Sequence, residues 1–168
     1  MDFTKRILPS LTELNAVSDK FFEGRGADDI SLILHLISVG DAVRAAVFSG
    51  LQQECELSEG RFILLVELKT KGRPLALTEL ADRTGVSAAS CSIMVKRMLQ
   101  EKQPMISKEI NAECSKSVLI ALTPYGEAVI EQALKSVFSC MQSTSALLSD
   151  KDKQELLTLL QKLYSKLQ

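Results

Sequence analysis

Residues 77–102 constrain the fold more than any other part of the chain. The stretch is LTELADRTGVSAASCSIMVKRMLQEK, in which two short helical patterns are separated by Gly85. Glycine adopts left-handed backbone conformations without the steric penalty of a Cβ atom, so Gly85 predicts a tight turn. Thr78 is predicted to cap the first helix and Ser87 the second. Because the turn falls where two crossed helices would touch, the pattern predicts a helix-turn-helix.

A β-hairpin is predicted directly after this motif. Residues 105–110 alternate between apolar and polar side chains, and residues 118–122 are apolar and partly β-branched. Both patterns are typical of strands. The polar segment between them, NAECSKS, is expected to form an exposed tip. A hairpin in this position is a wing, which can reach phosphates or a minor groove beside the helix.

Amphipathic helices are predicted on both sides of this unit. Apolar residues recur at helical spacing in the first 22 residues, from about residue 28 to residue 53, and in residues 62–68. Thr123 and Pro124 predict the N-cap and first residue of a further helix, and Ser149 with Asp152 predicts the start of a leucine-rich last one.

The amount of amphipathic helix indicates a second subunit. Three or four such helices lie outside the motif, more than a winged helix-turn-helix of about 50 residues could cover alone. The alternative is that the last helix packs on its own domain. We expect a mainly α-helical protein with a small β-hairpin wing. Its predicted parts, within one compact unit overall, are N-terminal dimerisation helices at 1–56, a winged helix-turn-helix at 57–122 and C-terminal dimerisation helices at 123–168.

Charge is distributed unevenly along the chain. The net charge of the whole sequence is −1, but residues 1–68 carry −5, residues 69–117 carry +4, and the remainder is neutral. Phosphate contacts depend on local charge, so the basic middle segment is consistent with nucleic-acid binding. Surplus lysines on a surface segment are also common in proteins of other functions.

Cysteine spacing favours a reducing compartment, and the hydropathy of the chain bears on membrane association. The four cysteines lie far apart without a CxxC pair, and no signal peptide is recognised, so we expect a cytoplasmic location. The longest apolar stretches, at 30–39 and 62–66, are broken by polar residues. A spanning helix needs about 20 apolar residues, so we expect no membrane association.

The sequence contains few residue patterns that are typical of a catalytic site. His35 is the only histidine, and no Cys, Asp or Glu lies beside it at metal-ligand spacing. Gly24 and Gly26 form a GRG turn and not a nucleotide-binding fingerprint. We therefore expect no enzymatic activity, no cofactor and no metal, and we interpret His35 as a core or interface residue.

Together these segments resemble the MarR family of bacterial transcriptional regulators. The resemblance covers about residues 28–167 and rests on LSEGRFILLVEL, LTELADRTGVSAAS, the helix ending in VKRM, the predicted wing, VLIALTPYGEAV and LSDKDKQELLTLLQKL. It implies a homodimer with entwined terminal helices, whose two winged units bind the half-sites of a palindrome in double-stranded DNA. It also implies that a small molecule or an oxidant often releases the DNA.

The second helix of the motif supplies the candidate DNA contacts. Its outward side chains are small, and their hydroxyls can bond a base or a phosphate, while nearby basic residues could bind phosphates. The predicted DNA-binding residues are Ser87, Ala89, Ser90, Ser92, Ile93, Lys96, Arg97 and Lys116. The predicted phosphate contacts before the motif are Lys69, Lys71 and Arg73. The alternative is that these serines and lysines are merely solvated.

Two positions depart from the family pattern. A basic residue is usual in the middle of the recognition helix, where this chain has Ile93, and the usual wing arginine is absent from Cys114, Ser115 and Lys116. Arginine binds a base edge or phosphate with two donors, whereas lysine is a point charge. We expect weak DNA binding, an unusual site or help from a partner. The alternative is a winged helix that has lost DNA binding and serves as a protein-interaction module.

The resemblance also implies where a signal would act. Effectors of similar proteins bind between the dimer helices and the winged unit, which would place His35, Arg44 and Arg61 near a pocket for a small molecule. Cys114 is the cysteine expected to be exposed, and hence the redox candidate, but its acidic neighbour Glu113 disfavours a reactive thiolate. Sensing of a small molecule is the preferred prediction.

Overall fold

Seven α-helices and three short strands make up the described part of the chain. The structure, a computed structural model, describes residues 7–21, 26–110 and 118–168. In chain order the elements are α1 (Leu11–Phe21), α2 (Ala27–Glu54), α3 (Glu59–Lys71), β1 (Leu75–Ala76), α4 (Leu77–Thr84), α5 (Ala88–Leu99), β2 (Ile106–Ile110), β3 (Val118–Leu122), α6 (Pro124–Ser145) and α7 (Asp150–Leu167). The predicted fold class, mainly α-helical with a small β wing, is confirmed.

Two compact units share the chain. The first consists of Met1–Val47 and Ala146–Gln168, and the second of Phe48–Ser145. The second, which we call the winged unit, contains the helix-turn-helix and all the described strands. It also contains α6, because α6 packs against α3. The dimerisation roles predicted for residues 1–56 and 123–168 stay predictions.

The strands of the winged unit form one antiparallel sheet in the order β1-β3-β2. In the predicted hairpin, Ile106 lies opposite Leu122 and Lys108 opposite Ile120. The sequence pattern did not predict β1, whose Leu75 also pairs with Ile120. A two-residue strand is too short to show an alternating pattern, since strands usually have 3 to about 10 residues.

Helix caps fix several of the element boundaries. Ser87 caps α5 as predicted, because its Oγ accepts a hydrogen bond from the backbone N–H of Ser90 at 3.1 Å. Thr123 likewise accepts from the N–H of Gly126 at 3.0 Å. The prediction for Thr78 was wrong: α4 begins at Leu77, and its N-cap is Ala76. Strand β1 runs directly into α4, so the helix starts earlier than a cap at Thr78 requires.

The N-terminus of α6 lies against the segment that enters β2. The Thr123 N–H donates to the Met105 carbonyl at 3.0 Å, and the Thr123 hydroxyl donates to the Pro104 carbonyl at 2.8 Å. A Cβ atom at Gly126 would lie 1.9 Å from the Met105 carbonyl oxygen. The close approach of these two backbones therefore requires glycine at position 126.

Helix α2 has nearly the predicted bounds, but it is more apolar than its interrupted apolar stretches indicated. It has 28 residues, and the mean hydropathy of an 18-residue window reaches 1.6, so by length and composition alone it could cross a membrane. The expectation that no segment is long enough was wrong, because occasional polar residues barely lower the average over a long helix. Core helices of soluble proteins can have the same length and mean hydropathy. These two properties of α2 therefore do not identify a membrane protein.

Candidate nucleic-acid interface

Helix α5 presents one face to solvent and buries the other. The exposed residues of the helix and its N-cap include every predicted contact in this segment: Ser87, Ala89, Ser90, Ser92, Ile93, Lys96 and Arg97. We call this set the α5 outer face. Cys91, Val95 and Met98 are buried on the opposite side. Their separations of three and four residues follow the helical repeat, which is why one side enters the core.

Helix α4 and the turn hold α5 in place. Gly85 has φ of 67°, in the left-handed region, and its N–H bonds to the Ala81 carbonyl, as the sequence predicted for the turn. Leu80 and Ala81 are buried beneath it. The Sγ of Cys91 lies 3.9 Å from the Leu77 carbonyl oxygen, where α5 packs on the start of α4. The motif is thus a rigid helix pair with an exposed second helix.

The α5 outer face carries positive charge near its C-terminal end. Lys96 and Arg97 lie in the last turn of the helix. Both are exposed, and neither forms an ion pair with another residue of the described ranges. Their cationic groups are therefore accessible to an anion in solution.

The three predicted phosphate contacts before the motif differ in their surroundings. The Lys69 ammonium donates to carboxylates of Glu127 at 2.5 Å and Glu131 at 2.8 Å, and these bonds raise its pKa. Arg73 donates to Glu79 at 2.8 Å. Lys71 is exposed and, within the described segments, has no carboxylate partner. Lys71 is therefore the most accessible cation of the three. The carboxylates that bind Lys69 belong to α6, and the sequence could not predict these ion pairs because α6 is distant from Lys69 along the chain.

Two arginines flank a shallow groove beside α5. The groove, of about 320 Å³, is lined by Ser58, Arg61, Ser90, Ile93, Met94 and Arg97. Arg61, on α3, is ion-paired with Glu101 just beyond the end of α5, and both side chains are about three-quarters buried. This pairing links α3 to the C-terminal end of the recognition helix.

The residues predicted to line an effector pocket are divided between the two units. His35 and Arg44 belong to the first unit, and Arg61 belongs to the winged unit. His35 is exposed and not in the core, and its Nδ1–H donates to the Ser31 carbonyl within α2 at 2.7 Å. Arg44 is exposed as well. The predicted pocket stays a prediction.

The wing tip and the redox candidate are not described. Lys116 and Cys114 lie outside the described residues. Cys55, Cys91 and Cys140 are not in disulfide bonds. Burial raises the pKa of the Cys91 thiol, and burial together with the charge of Glu54 raises that of Cys55. Thiols with a raised pKa are poor nucleophiles, which applies to Cys55 and Cys91. Within ranges 7–21, 26–110 and 118–168, no group of three His, Cys, Asp or Glu side chains could hold a metal ion.

The chain is similar in sequence to a bacterial transcriptional repressor. The HTH-type transcriptional repressor YetL of Bacillus subtilis is 30% identical over 112 residues, which cover 66% of this chain and 66% of YetL. The chain thus spans about two thirds of the length of this curated relative. No protein-family profile matches the chain.

Solved structures of regulators share the fold at lower identity. A MarR-like transcription regulator from Bacillus cereus superposes with a TM-score of 0.73 at 18% identity, covering 85% of this chain and 100% of the regulator. BpsR of Bordetella bronchiseptica, whose DNA binding is regulated by 6-hydroxynicotinic acid, gives a TM-score of 0.63 at 22% identity, with 77% of this chain and 91% of BpsR covered. The relationship to YetL and the shared winged architecture place this chain in the MarR family of winged helix-turn-helix transcriptional regulators.

Proposed function

We propose that this protein regulates transcription by binding a palindromic operator in double-stranded DNA as a homodimer. The observation that carries the proposal is the α5 outer face, which combines small side chains with the accessible cations of Lys96 and Arg97. Small residues let the backbone approach base edges, and the cations contact phosphates. An α-helix of this kind fits the major groove of B-DNA, which is about 12 Å wide.

The exposed apolar surface of the first unit supports the homodimer. Helix α7 has 18 residues and buries none of them, although it contains six leucines. On α2, the exposed apolar side chains are Leu32, Ile33, Ile37, Val39 and Val43. Exposed apolar side chains in this number favour association with another surface. Two copies would also present two α5 helices to the half-sites of a palindrome.

A titration of DNA tests the proposal directly. The protein is titrated with the duplex upstream of its own gene and with a scrambled duplex, at low and moderate salt, by fluorescence anisotropy. We expect the upstream duplex to bind more tightly, with an affinity that falls as salt rises. Lys96→Gln should lower the slope of log affinity against log salt by about 0.9, because one phosphate contact is lost.

Lys102→Gln is the matched control for Lys96→Gln. Lys102 is exposed just beyond α5 and is not among the proposed contacts, so its substitution should leave the specific affinity nearly unchanged. Equal and negligible binding of both duplexes by the wild-type protein would overturn the proposal.

The second candidate function is a protein-interaction module. Ile93 is 54% exposed on the α5 outer face, at the position where the family resemblance implies a basic residue. An exposed isoleucine contributes nothing to phosphate binding but can fill an apolar pocket on a partner protein. Negligible DNA binding in the titration would favour this function.

The effector of the proposed regulator belongs to the aromatic acids. BpsR responds to 6-hydroxynicotinic acid, which is an aromatic carboxylate. Addition of such an effector should weaken DNA binding in the same titration. The proposed cellular location is the cytoplasm, where the regulated DNA lies.

A further inference from the structure

Ile93 lies on the side of α5 that faces away from the core. It is two residues from both Cys91 and Val95, which are buried. In a helix with 3.6 residues per turn, a separation of two residues places Ile93 on nearly the opposite side from both. Its side chain is 54% exposed. Burial in the core of the chain therefore does not account for an isoleucine at this position.

The neighbours of Ile93 on the α5 outer face are small or cationic. Ala89 and Ser90 lie one turn before it, and Lys96 and Arg97 lie one turn after it, all of them exposed. Small residues allow the helix backbone to come close to another surface, and the two cations attract phosphates. Within the α5 outer face, all of whose residues are described, Ile93 is the one large apolar side chain.

The major groove of DNA offers such a side chain one apolar partner. The edges of guanine, cytosine and adenine present hydrogen-bond donors and acceptors there, whereas the edge of thymine also presents a C5 methyl group. An isoleucine against any of the other three bases would leave polar groups without a hydrogen-bond partner, which costs free energy. The basic residue that the family resemblance implies at position 93 would instead favour guanine.

We propose that Ile93 determines part of the DNA sequence specificity by packing against the C5 methyl group of a thymine in each half-site. The inference rests on the proposed function, because it requires α5 to enter the major groove. Lys96 and Arg97 would hold the helix on the phosphates, and these contacts are independent of sequence. Ile93 would then select thymine, and not guanine, at the base pair that it faces.

Replacement of thymine by uracil tests this contact, because uracil lacks only the methyl group. The upstream duplex is prepared with uracil at one thymine position at a time, in both half-sites together, and each duplex is titrated by fluorescence anisotropy. Burial of one methyl group contributes about fourfold in affinity. We therefore expect one position at which the two uracils weaken binding by the wild-type protein about 15-fold.

Variants of Ile93 assign the loss to this side chain. Ile93→Ala should bind the thymine and uracil duplexes at that position within about twofold of each other. Ile93→Val keeps a branched apolar side chain and should retain most of the preference for thymine. Both variants should fold, because the side chain that they change is largely exposed.

Lys96→Gln is the matched control on the same face of α5. It should lower the salt dependence of binding, because a phosphate contact is lost, and keep the full preference for thymine over uracil. Ile93→Ala should do the reverse, with the wild-type salt dependence and no preference at that position. The two variants thus separate phosphate binding from contact with the base.

The possible outcomes distinguish this inference from the proposed function. A preference for thymine that persists in Ile93→Ala at every position would overturn the inference, because another side chain or the shape of the DNA would then be its cause. A wild-type protein that prefers the upstream duplex to the scrambled one but is indifferent to uracil at every position would overturn the inference alone. Negligible binding of every duplex would overturn the proposed function and the inference with it.

Discussion

Gly126 lies where two segments of backbone meet, and its lack of a side chain determines how closely α6 can approach the start of β2. A methyl group there would overlap the Met105 carbonyl oxygen, because the two atoms would be 1.9 Å apart. The oxygen belongs to the backbone and already accepts a hydrogen bond from Thr123. Relief of the overlap therefore requires movement of a whole segment.

Gly126→Ala should destabilise the fold by about 1 to 3 kcal/mol, the usual cost of overpacking. Urea denaturation followed by circular dichroism gives the free energy of unfolding. Gly60→Ala is the control: it also lies in the first turn of a helix, but its nearest neighbour for a Cβ atom, the Met94 sulfur, is 3.6 Å away. That substitution should be neutral or stabilising, since alanine favours helix. Equal effects of the two substitutions would contradict the close approach at Gly126.

At the scale of elements, a chain of ion pairs joins α4 to its neighbours. Glu79 accepts hydrogen bonds from Arg73 at 2.8 Å and from Arg83 at 3.1 Å, and Arg83 also lies 3.5 Å from Glu67 on α3. The Arg73 guanidinium, followed by that of Arg83, holds the pKa of Glu79 below its ordinary value. Exposed pairs of this kind contribute modestly to stability.

The pKa of Glu79 predicts a dependence of stability on pH. A carboxyl group whose pKa is lower in the folded state stabilises the protein above its unfolded pKa, about 4.3, and loses that contribution as pH falls through the folded value. Glu79→Gln should therefore lower the thermal unfolding midpoint at pH 7, and its difference from the wild type should shrink as the pH drops below about 4.3. Differential scanning calorimetry from pH 7 to acid pH measures this difference in unfolding midpoint.

Glu109→Gln provides the comparison for Glu79→Gln. Glu109 is exposed on β2 and has no ion pair within the described part of the chain, so its variant should follow the wild type at every pH. If the difference in unfolding midpoint between the wild type and Glu79→Gln stayed constant down to strong acid, the ion pairs with Arg73 and Arg83 would not be the cause of that difference.

For the whole molecule, the exposed leucines of α7 bear on the oligomeric state. Leu160→Glu places a carboxylate in the middle of this apolar stripe, and burying an unpaired charge costs several kcal/mol. If the proposed homodimer forms through the stripe, light scattering after size exclusion should give twice the 18.5 kDa chain mass for the wild type and the single mass for Leu160→Glu.

Lys162→Glu on the same helix controls for the change in charge. Lys162 follows Leu160 by two residues, which places it on nearly the opposite side of a helix with 3.6 residues per turn. It should leave the mass unchanged. A wild-type protein that elutes as a single chain would contradict the proposed homodimer.

Local sequence signals predicted the helix-turn-helix and the wing because their causes are local. Gly85 favours the left-handed turn, Ser87 caps α5, and the spacing of Cys91, Val95 and Met98 determines which side of that helix is buried. An equally local signal was overlooked: Ser10 and Glu13 form a capping box at the start of α1, with the Ser10 N–H donating to Glu13 at 2.8 Å.

Contacts between distant segments were decided only by the tertiary structure. The sequence shows that Lys69 is basic, but only the fold places Glu127 and Glu131 beside it. The sequence also shows a glycine at position 126, but it does not show that the Met105 carbonyl lies too close for any side chain there. A cavity of about 590 Å³, lined by Lys96 of α5 and Lys108 of β2, also exists only because the hairpin packs on α5. Backbone preference and helical periodicity act over a few residues and can be inferred from the chain, whereas the partner of a charge or a close backbone approach depends on which distant segments fold together.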